Sequence, residues 1–425
     1  MKRRSFLAGM VLSCLVLASC QAGAGGSDTQ TISADSQAEL TLFYWDKNQT
    51  KTVEDNIKRF NEEYPNIKVT TNLAGYSDYW KKLRTQAQGD ELPDVFWMNG
   101  PNIQLYASNG MLEPLDEVTR LGIDWANYPQ ALVDLYTFEG KHYGIPKDFD
   151  TIALWYNKKI FEQAGVDLPK SGWTWKDFHD TAKAISNWGK DQGIYGCALS
   201  FAENQSTYYN TIPQAGGFFL KDGKSGFDDP ASIEGLKVLA DWAADGSIAP
   251  VDVVTDLKAN NMFKTGKAAM LWAGDWQTPD FAESFKGKES DYDVIELPRQ
   301  QKQATVIHGL SWAVSQKSTN KAAAKALAAW MGSEESQKVE AKNGTAIPAF
   351  NGTQDSWVRS APAWNLQAYI DAASYAVPYP VSKNTTAWED RQNEVLLPGF
   401  SGKKSIEEVA NEFATLHNEA LAKEQ

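Results

Sequence analysis

The sequence predicts an α/β protein of two domains, and three observations lead there. From Glu39 onward, short apolar runs rich in β-branched and aromatic residues alternate with amphipathic helical stripes. The 425 residues exceed what one hydrophobic core usually organises. The three cysteines, Cys14, Cys20 and Cys197, offer no pair inside the body to staple a smaller scaffold, because the first two fall in or at the end of an apolar leader.

Taken in order, the chain begins with Lys2, Arg3 and Arg4 ahead of an apolar run from Phe6 to Ala18. A membrane-spanning helix needs roughly 20 apolar residues, and this run is shorter and ends in small residues, so residues 1–19 read as a signal peptide. Leu17-Ala18-Ser19-Cys20 resembles the bacterial lipobox, which implies that Cys20 becomes the first mature residue and carries acyl chains. Each buried methylene adds about 0.8 kcal/mol, so several chains make a firm anchor to a bacterial cell surface or within a periplasm. Residues 20–38, with Gly23, Gly25, Gly26, Ser27 and Ser33, lack apolar periodicity and read as a flexible tether.

The body opens with the pattern βαβαβ. A strand at Leu40–Tyr44 precedes a helix that carries Val53, Ile57, Phe60 and Tyr64 on one stripe. A strand at Ile67–Thr71, a helix with Tyr76, Tyr79, Trp80, Leu83 and Ala87 on its apolar face, and a strand at Asp94–Met98 follow. Right-handed crossovers make such strands mostly parallel, with helices on both faces. Ligands of open sheets gather beyond the carboxyl ends of the strands, which directs attention to residues 45–49 and 99–102. A second block runs from Tyr143 through Ile152–Tyr156 into a helix capped by Thr174, with Asp177 three residues on. Further helices are expected around Ile233–Trp242, Asn320–Trp330 and Ser405–Ala422.

The formal charge of −13 disfavours nucleic acid and anionic lipid as partners. The counts of 16 Trp, 16 Tyr and 18 Phe are high, so the protein has a use for flat apolar faces. Cys197 reads as a small buried residue rather than a reactive thiol. The four histidines, His142, His179, His308 and His417, show no metal-ligand spacing, and no HExxH, GxSxG, CxxC or phosphate-loop motif occurs. No catalytic residue, metal or cofactor is expected.

From Gly144 the chain resembles a known family. The run Gly144-Ile145-Pro146-Lys147-Asp148-Phe149-Asp150-Thr151-Ile152-Ala153-Leu154-Trp155-Tyr156-Asn157-Lys158-Lys159-Ile160-Phe161 looks like the signature of family 1 extracellular solute-binding proteins, the group that includes maltose-binding protein. Five further stretches are similar to the family in the same order: Phe60–Val69, Leu92–Phe96, Phe263–Met270 with Gly274-Asp275-Trp276, His308–Ser315 and Gly344–Pro348. His308 departs from the pattern, standing where many relatives have a second glycine.

The resemblance implies a two-lobed, type II periplasmic-binding-protein-like fold with a hinge and an interlobe cleft. Residues 39–148 with about 309–350 would form the N-terminal lobe, and 149–308 with about 351–425 the C-terminal lobe. It implies an extracytoplasmic carbohydrate receptor, monomeric and without enzymatic activity, that delivers a mono- or oligosaccharide to the permease of an ABC transporter by closing on it. The aromatic wealth favours a di- or oligosaccharide.

A pyranose has an apolar face and a rim of hydroxyls, so its site needs flat rings beneath and amides or carboxylates around. Trp276 and then Trp45 are the candidate platforms, with Trp388 as a third aromatic. Asp46, Asn48, Asn99, Asp150, Asp275 and His308 are candidates for the rim. Lys147 and Asp148 either join the ligand or pair with each other, and Glu203, Tyr208 and Tyr209 stand where relatives supply contacts from the second lobe. Core packing is the competing reading for each aromatic, and a hinge role for Asp150. Carboxylates among tryptophans also suit a glycoside hydrolase, and tryptophan with aspartate suits a receptor of the same fold for a non-sugar solute such as a polyamine.

Overall fold

In a computed structural model that describes residues 32–424, the alternation of strands and helices resolves into two main sheets with several two-stranded pairings beside them. The leader, Cys14, Cys20 and the first part of the tether lie outside the described residues.

The first sheet has the order Ile67–Leu73, Ala38–Tyr44, Val95–Asn99, Leu310–Val314, Ile145–Pro146. Its first three strands are parallel, with Leu42 opposite Thr71 on one side and Val95 on the other. Val95–Asn99 is buried along its whole length, the mark of a strand covered on both faces. The helix Thr50–Glu63 turns Val53 and Phe60 inward, as its spacing requires. Burying one such side chain contributes about 1.5–3 kcal/mol.

The second sheet has the order Tyr292–Glu296, Ile152–Asn157, Ala268–Gly274, Tyr195–Ala198. Ile152–Asn157 and Ala268–Gly274 are buried throughout. Cys197 sits in this core at 0 % exposure, and burial pushes its thiol well above the ordinary range. Thr174 and Asp177 form the reciprocal cap expected of them: the threonine hydroxyl accepts from the Asp177 amide at 3.2 Å, and the Asp177 carboxylate accepts from the Thr174 amide at 3.0 Å.

The opening strands are parallel as expected, and Tyr195–Ala198 runs parallel to Ala268–Gly274, but the other strand pairs of the two sheets are antiparallel. Leu310–Val314 runs antiparallel to Val95–Asn99, with Leu310 opposite Asn99, and Ile152–Asn157 runs antiparallel to both its neighbours, with Ile152 opposite Gly274. The reason is connectivity. A strand whose chain arrives from the other sheet begins at the edge facing that sheet, whereas Tyr44, Asn99 and Gly274 end there.

The passages between sheets are stitched together. Asp148–Phe149 pairs with Ile347–Pro348, Thr305–Ile307 pairs with Ala376–Pro378, and Asp150 and His308 exchange backbone bonds of 2.9 and 3.2 Å. Gly309 makes this possible, because a Cβ there would stand 2.2 Å from the carbonyl oxygen of Asp148. The Tyr136 hydroxyl donates to the Gly309 carbonyl at 2.5 Å and to that of Met98 at 3.2 Å, fixing the passage to the first sheet. After Ile347–Pro348 the chain reaches the helix Gln367–Ala372, which packs on Tyr292–Glu296 and Ile152–Asn157. Two lobes joined by several strands result.

Candidate functional site

The strand ends meet at a crevice of about 750 Å³. From the first lobe it is lined by residues 45–49 after the first strand, by Tyr76, and by Asn99 at the end of the third strand. Asp148, Phe149, Asp150, His308 and Leu310 form its floor, and Gln205, Asp275, Trp276 and Gln277 come from the second lobe.

The aromatic walls have different supports. Trp45 is half-buried and held edge-on by Trp97, with ring centroids 4.9 Å apart and an interplanar angle of 89°, and by Tyr79 and Tyr76 at 4.9 and 5.6 Å. Such edge-to-face pairs fix a ring plane as well as bury it. Trp276 is half-buried against the second core, and its indole lies across the backbone of Gly274. A Cβ on Gly274 would meet ring carbons of Trp276 at 1.9–2.2 Å, so the glycine is the shelf on which the ring rests.

The polar groups differ in how fully their bonding is used. Asp46 accepts from the Asn48 amide at 2.9 Å and so caps its own turn, while Asn48 is exposed. Asn99 accepts from the Asn102 side chain at 2.8 Å and donates to the Tyr76 hydroxyl at 3.4 Å. One oxygen of Asp148 accepts from Lys147 Nζ and the other from the Leu310 amide, both at 2.7 Å. Asp150 accepts from the Gln205 side chain, and its other oxygen lies 3.7 Å from Nδ1 of His308. Nε2 of His308 accepts from the Gly100 amide at 3.1 Å, which leaves the ring proton on Nδ1, facing Asp150. Asp275 has one oxygen with no hydrogen-bond partner. Burial, then the charges of Asp150 and Asp148, push its carboxyl well above the usual range.

Five sequence-selected residues are not among those that line the crevice. Lys147 lies beneath it at 2 % exposure, donating to Gln49 at 2.7 Å, to Asp148 and to Glu340, with its ammonium 4.9 Å from the Trp97 ring centroid. Its three donors are spent. Burial works against the ammonium, yet Asp148 and Glu340 outweigh it and hold its pKa above the ordinary value. Tyr208 and Tyr209 are fully buried in the second core, with both hydroxyls bonded to Gln392. Trp388 is fully buried too, donating to the Ser382 hydroxyl at 2.9 Å with its ring 4.3 Å from that of His417. The helix Thr386–Phe400 turns this position toward the core, and the next residue, Glu389, instead meets Tyr379 and Asn204. Glu203 is exposed and bonded to Ser206, while Gln205, two residues on, reaches the crevice.

Tyr76 is the reverse case. Sequence spacing assigns it to the buried stripe of its helix, yet it is 56 % exposed at the crevice. It opens the helix Tyr76–Gln88, beyond the end of the sheet that buries Tyr79 and Leu83. Its place directly after the Ala74-Gly75 break was the available signal.

The lining carries Asp46, Asp148, Asp150, Asp275, Asp280 and Glu283 against Lys47 and His308, with no arginine. Aromatic faces set among carboxylate and amide acceptors suit a ligand that is apolar on one side and rich in hydroxyl donors around its edge.

Comparison with known proteins agrees with this geometry. The model of a family described as bacterial extracellular solute-binding protein matches residues 46–338. A galactooligosaccharide-binding protein of Bacillus subtilis is 24 % identical over 412 residues, covering 92 % of this chain and 90 % of its own. A maltooligosaccharide ABC transporter solute-binding lipoprotein of Streptococcus pneumoniae is 24 % identical over 447 residues, covering 99 % and 97 %. Among solved structures, an ABC substrate-binding protein from Listeria monocytogenes in complex with cycloalternan superposes with a TM-score of 0.82 at 24 % identity, over 91 % of this chain and all of that one.

Proposed function

The chain belongs to the bacterial extracellular solute-binding proteins, and from that premise we propose that it is the oligosaccharide receptor of an ABC importer. It takes a saccharide into the crevice and presents it to the permease. The observation that carries this reading is the pairing of two half-buried indoles, Trp45 from one lobe and Trp276 from the other, around a floor of acceptors. The apolar face of a pyranose stacks on an indole, and its hydroxyls donate to Asp150 and to the amides of Asn48, Gln205 and Gln277. Relatives whose names specify galactooligosaccharide and maltooligosaccharide binding support a glycan of more than one unit.

The stitched passages act as the hinge. Residues 39–148 with 309–350 move as one lobe, and 149–308 with 351–424 as the other. The saccharide stabilises the closed arrangement to the extent that it binds that form better. The protein performs no chemistry on its ligand and works as a monomer, tethered to the membrane through acylated Cys20, a reading supported by the lipoprotein among its relatives.

A thermal-shift panel tests the proposal. Maltotriose, galactobiose, arabinotriose, N,N′-diacetylchitobiose and spermidine are each added to the protein. Binding to the native state raises the midpoint, by about 2.7 kcal/mol of stability at a hundredfold excess over Kd. At least one oligosaccharide is expected to raise it, with no release of shorter glycan on prolonged incubation. A shift by spermidine alone would contradict the reading, and so would hydrolysis of the glycan.

A further inference from the structure

A carboxyl group that is 1 % exposed and lines a binding crevice, with one oxygen lacking a partner, is costly unless a proton or a ligand completes it. Asp275 is in that position, and its neighbours on the floor are not. Asp148 has Lys147 and the Leu310 amide, and Asp150 has Gln205 and the Nδ1 side of His308.

The titratable groups that face Asp275 from packed elements are Asp150 and Asp148 on the passage between sheets, and Tyr369 on the helix Gln367–Ala372. The Tyr369 hydroxyl donates to the Ala273 carbonyl at 2.9 Å and accepts from Trp155 at 2.6 Å, so it has no second proton to offer. On the chain segment of Asp275 itself, Asp280 is paired with Lys264 at 2.7 Å, and Glu283 is a further acid in the lining. Lys147 is committed to Gln49, Asp148 and Glu340. Asp275 makes no ion pair among the described residues, and the charges that act on it most, Asp150 and Asp148, are negative.

Building on the saccharide reading above, we infer that Asp275 enters the complex as a neutral carboxylic acid and donates a hydrogen bond to the bound glycan, so that the crevice floor selects ligands presenting an ether, carbonyl or hydroxyl oxygen there. Ionisation would set a charge beside Asp150 without compensation, and would turn a donor into an acceptor facing a ligand oxygen. Burial and the two aspartates favour the protonated form and outweigh the backbone amides of Ile347 and Asp275 itself, which pull the other way. Asp275 is thereby a specificity residue: it completes a lone pair of the ligand, where the other crevice acids accept from hydroxyl protons.

Two readouts test this. The infrared difference between wild type and Asp275→Asn at neutral pH is expected to show the carbonyl band of a protonated carboxyl in wild type, and its absence would overturn the inference without need of any ligand. Maltotriose, galactobiose, arabinotriose and N,N′-diacetylchitobiose are then titrated into wild type, Asp275→Asn and Asp275→Ala. For a saccharide that binds wild type, Asp275→Asn, which keeps a donor, is expected to bind within about threefold, and Asp275→Ala at least about tenfold more weakly. Wild-type affinity is expected to fall once the pH is raised far enough to ionise the acid, while that of Asp275→Asn stays level. Affinity that rises with pH in wild type and is lost in Asp275→Asn would show an ionised acceptor and overturn the inference. Equal binding by all three proteins would also overturn it. Failure of every saccharide to bind wild type would instead overturn the carbohydrate reading, and the inference with it.

Discussion

Lys147 and Asp275 are both ionisable side chains buried at the base of one crevice, at 2 % and 1 % exposure, and they are built in opposite ways. Lys147 is surrounded by Gln49, Asp148 and Glu340, which come from three separate stretches of chain. Asp275 faces other acids and has an oxygen without a partner. A buried ionisable group whose bonds are complete ties elements together, whereas a buried polar group left incomplete is available to something that arrives later. The scaffold of the crevice and its working surface are therefore distinguishable by how their polar groups are satisfied.

The largest effects are expected on the scaffold side. Lys147→Met strips Asp148 and Glu340 of their shared cation, and should lower stability by about 3–5 kcal/mol in denaturant unfolding of the unliganded protein. Trp388→Ala should cost a similar amount, about 3–5 kcal/mol, because the ring is fully enclosed. If either substitution instead left stability intact and impaired saccharide binding alone, the division between the two regions would fail.

On the working surface the order of effects reverses. Trp276→Ala should weaken saccharide binding at least about tenfold, or about 1.4 kcal/mol, in calorimetric titration, while the unliganded thermal midpoint stays close to that of wild type. A large loss of unliganded stability would place the ring in the core. Gly274→Ala should displace the Trp276 indole, since the added methyl overlaps the ring carbons, and weaken binding by about threefold in the same titration.

The pH dependence of stability sharpens the account of the Lys147 cluster. Burial pushes Glu340 up to about 7, against the pull of Lys147. A carboxyl raised above its unfolded value of about 4.3 holds a proton in the folded state that the unfolded chain has released. Stability from this group is complete below that value and falls as the pH rises toward about 7. Glu340→Gln should flatten that decline by up to about 1 kcal/mol per pH unit, read from denaturation midpoints across the window.

The sequence made the crevice legible where it depends on strand ends. Trp45, Asn99 and Trp276 lie at the carboxyl ends of strands, and alternation alone locates such ends. Helix phase was the weaker guide. Trp388 and Glu389 are adjacent, yet one enters the core and the other meets Tyr379, and only packing of the helix Thr386–Phe400 decides which. The Lys147 cluster was illegible because its partners Gln49 and Glu340 stand 98 and 193 positions away in the chain. Strand direction was missed for a related reason: Leu310 and Ile152 begin at the crevice because their chain arrives from the other lobe, a fact of connectivity that periodicity does not carry.

The central claim, that two lobes close on an oligosaccharide, is tested most directly by small-angle X-ray scattering with and without the glycan that gives the largest thermal shift. The radius of gyration is expected to fall in wild type at saturating glycan, and to need at least about tenfold more glycan to fall as far in Trp276→Ala. An unchanged radius in wild type at saturation would contradict closure.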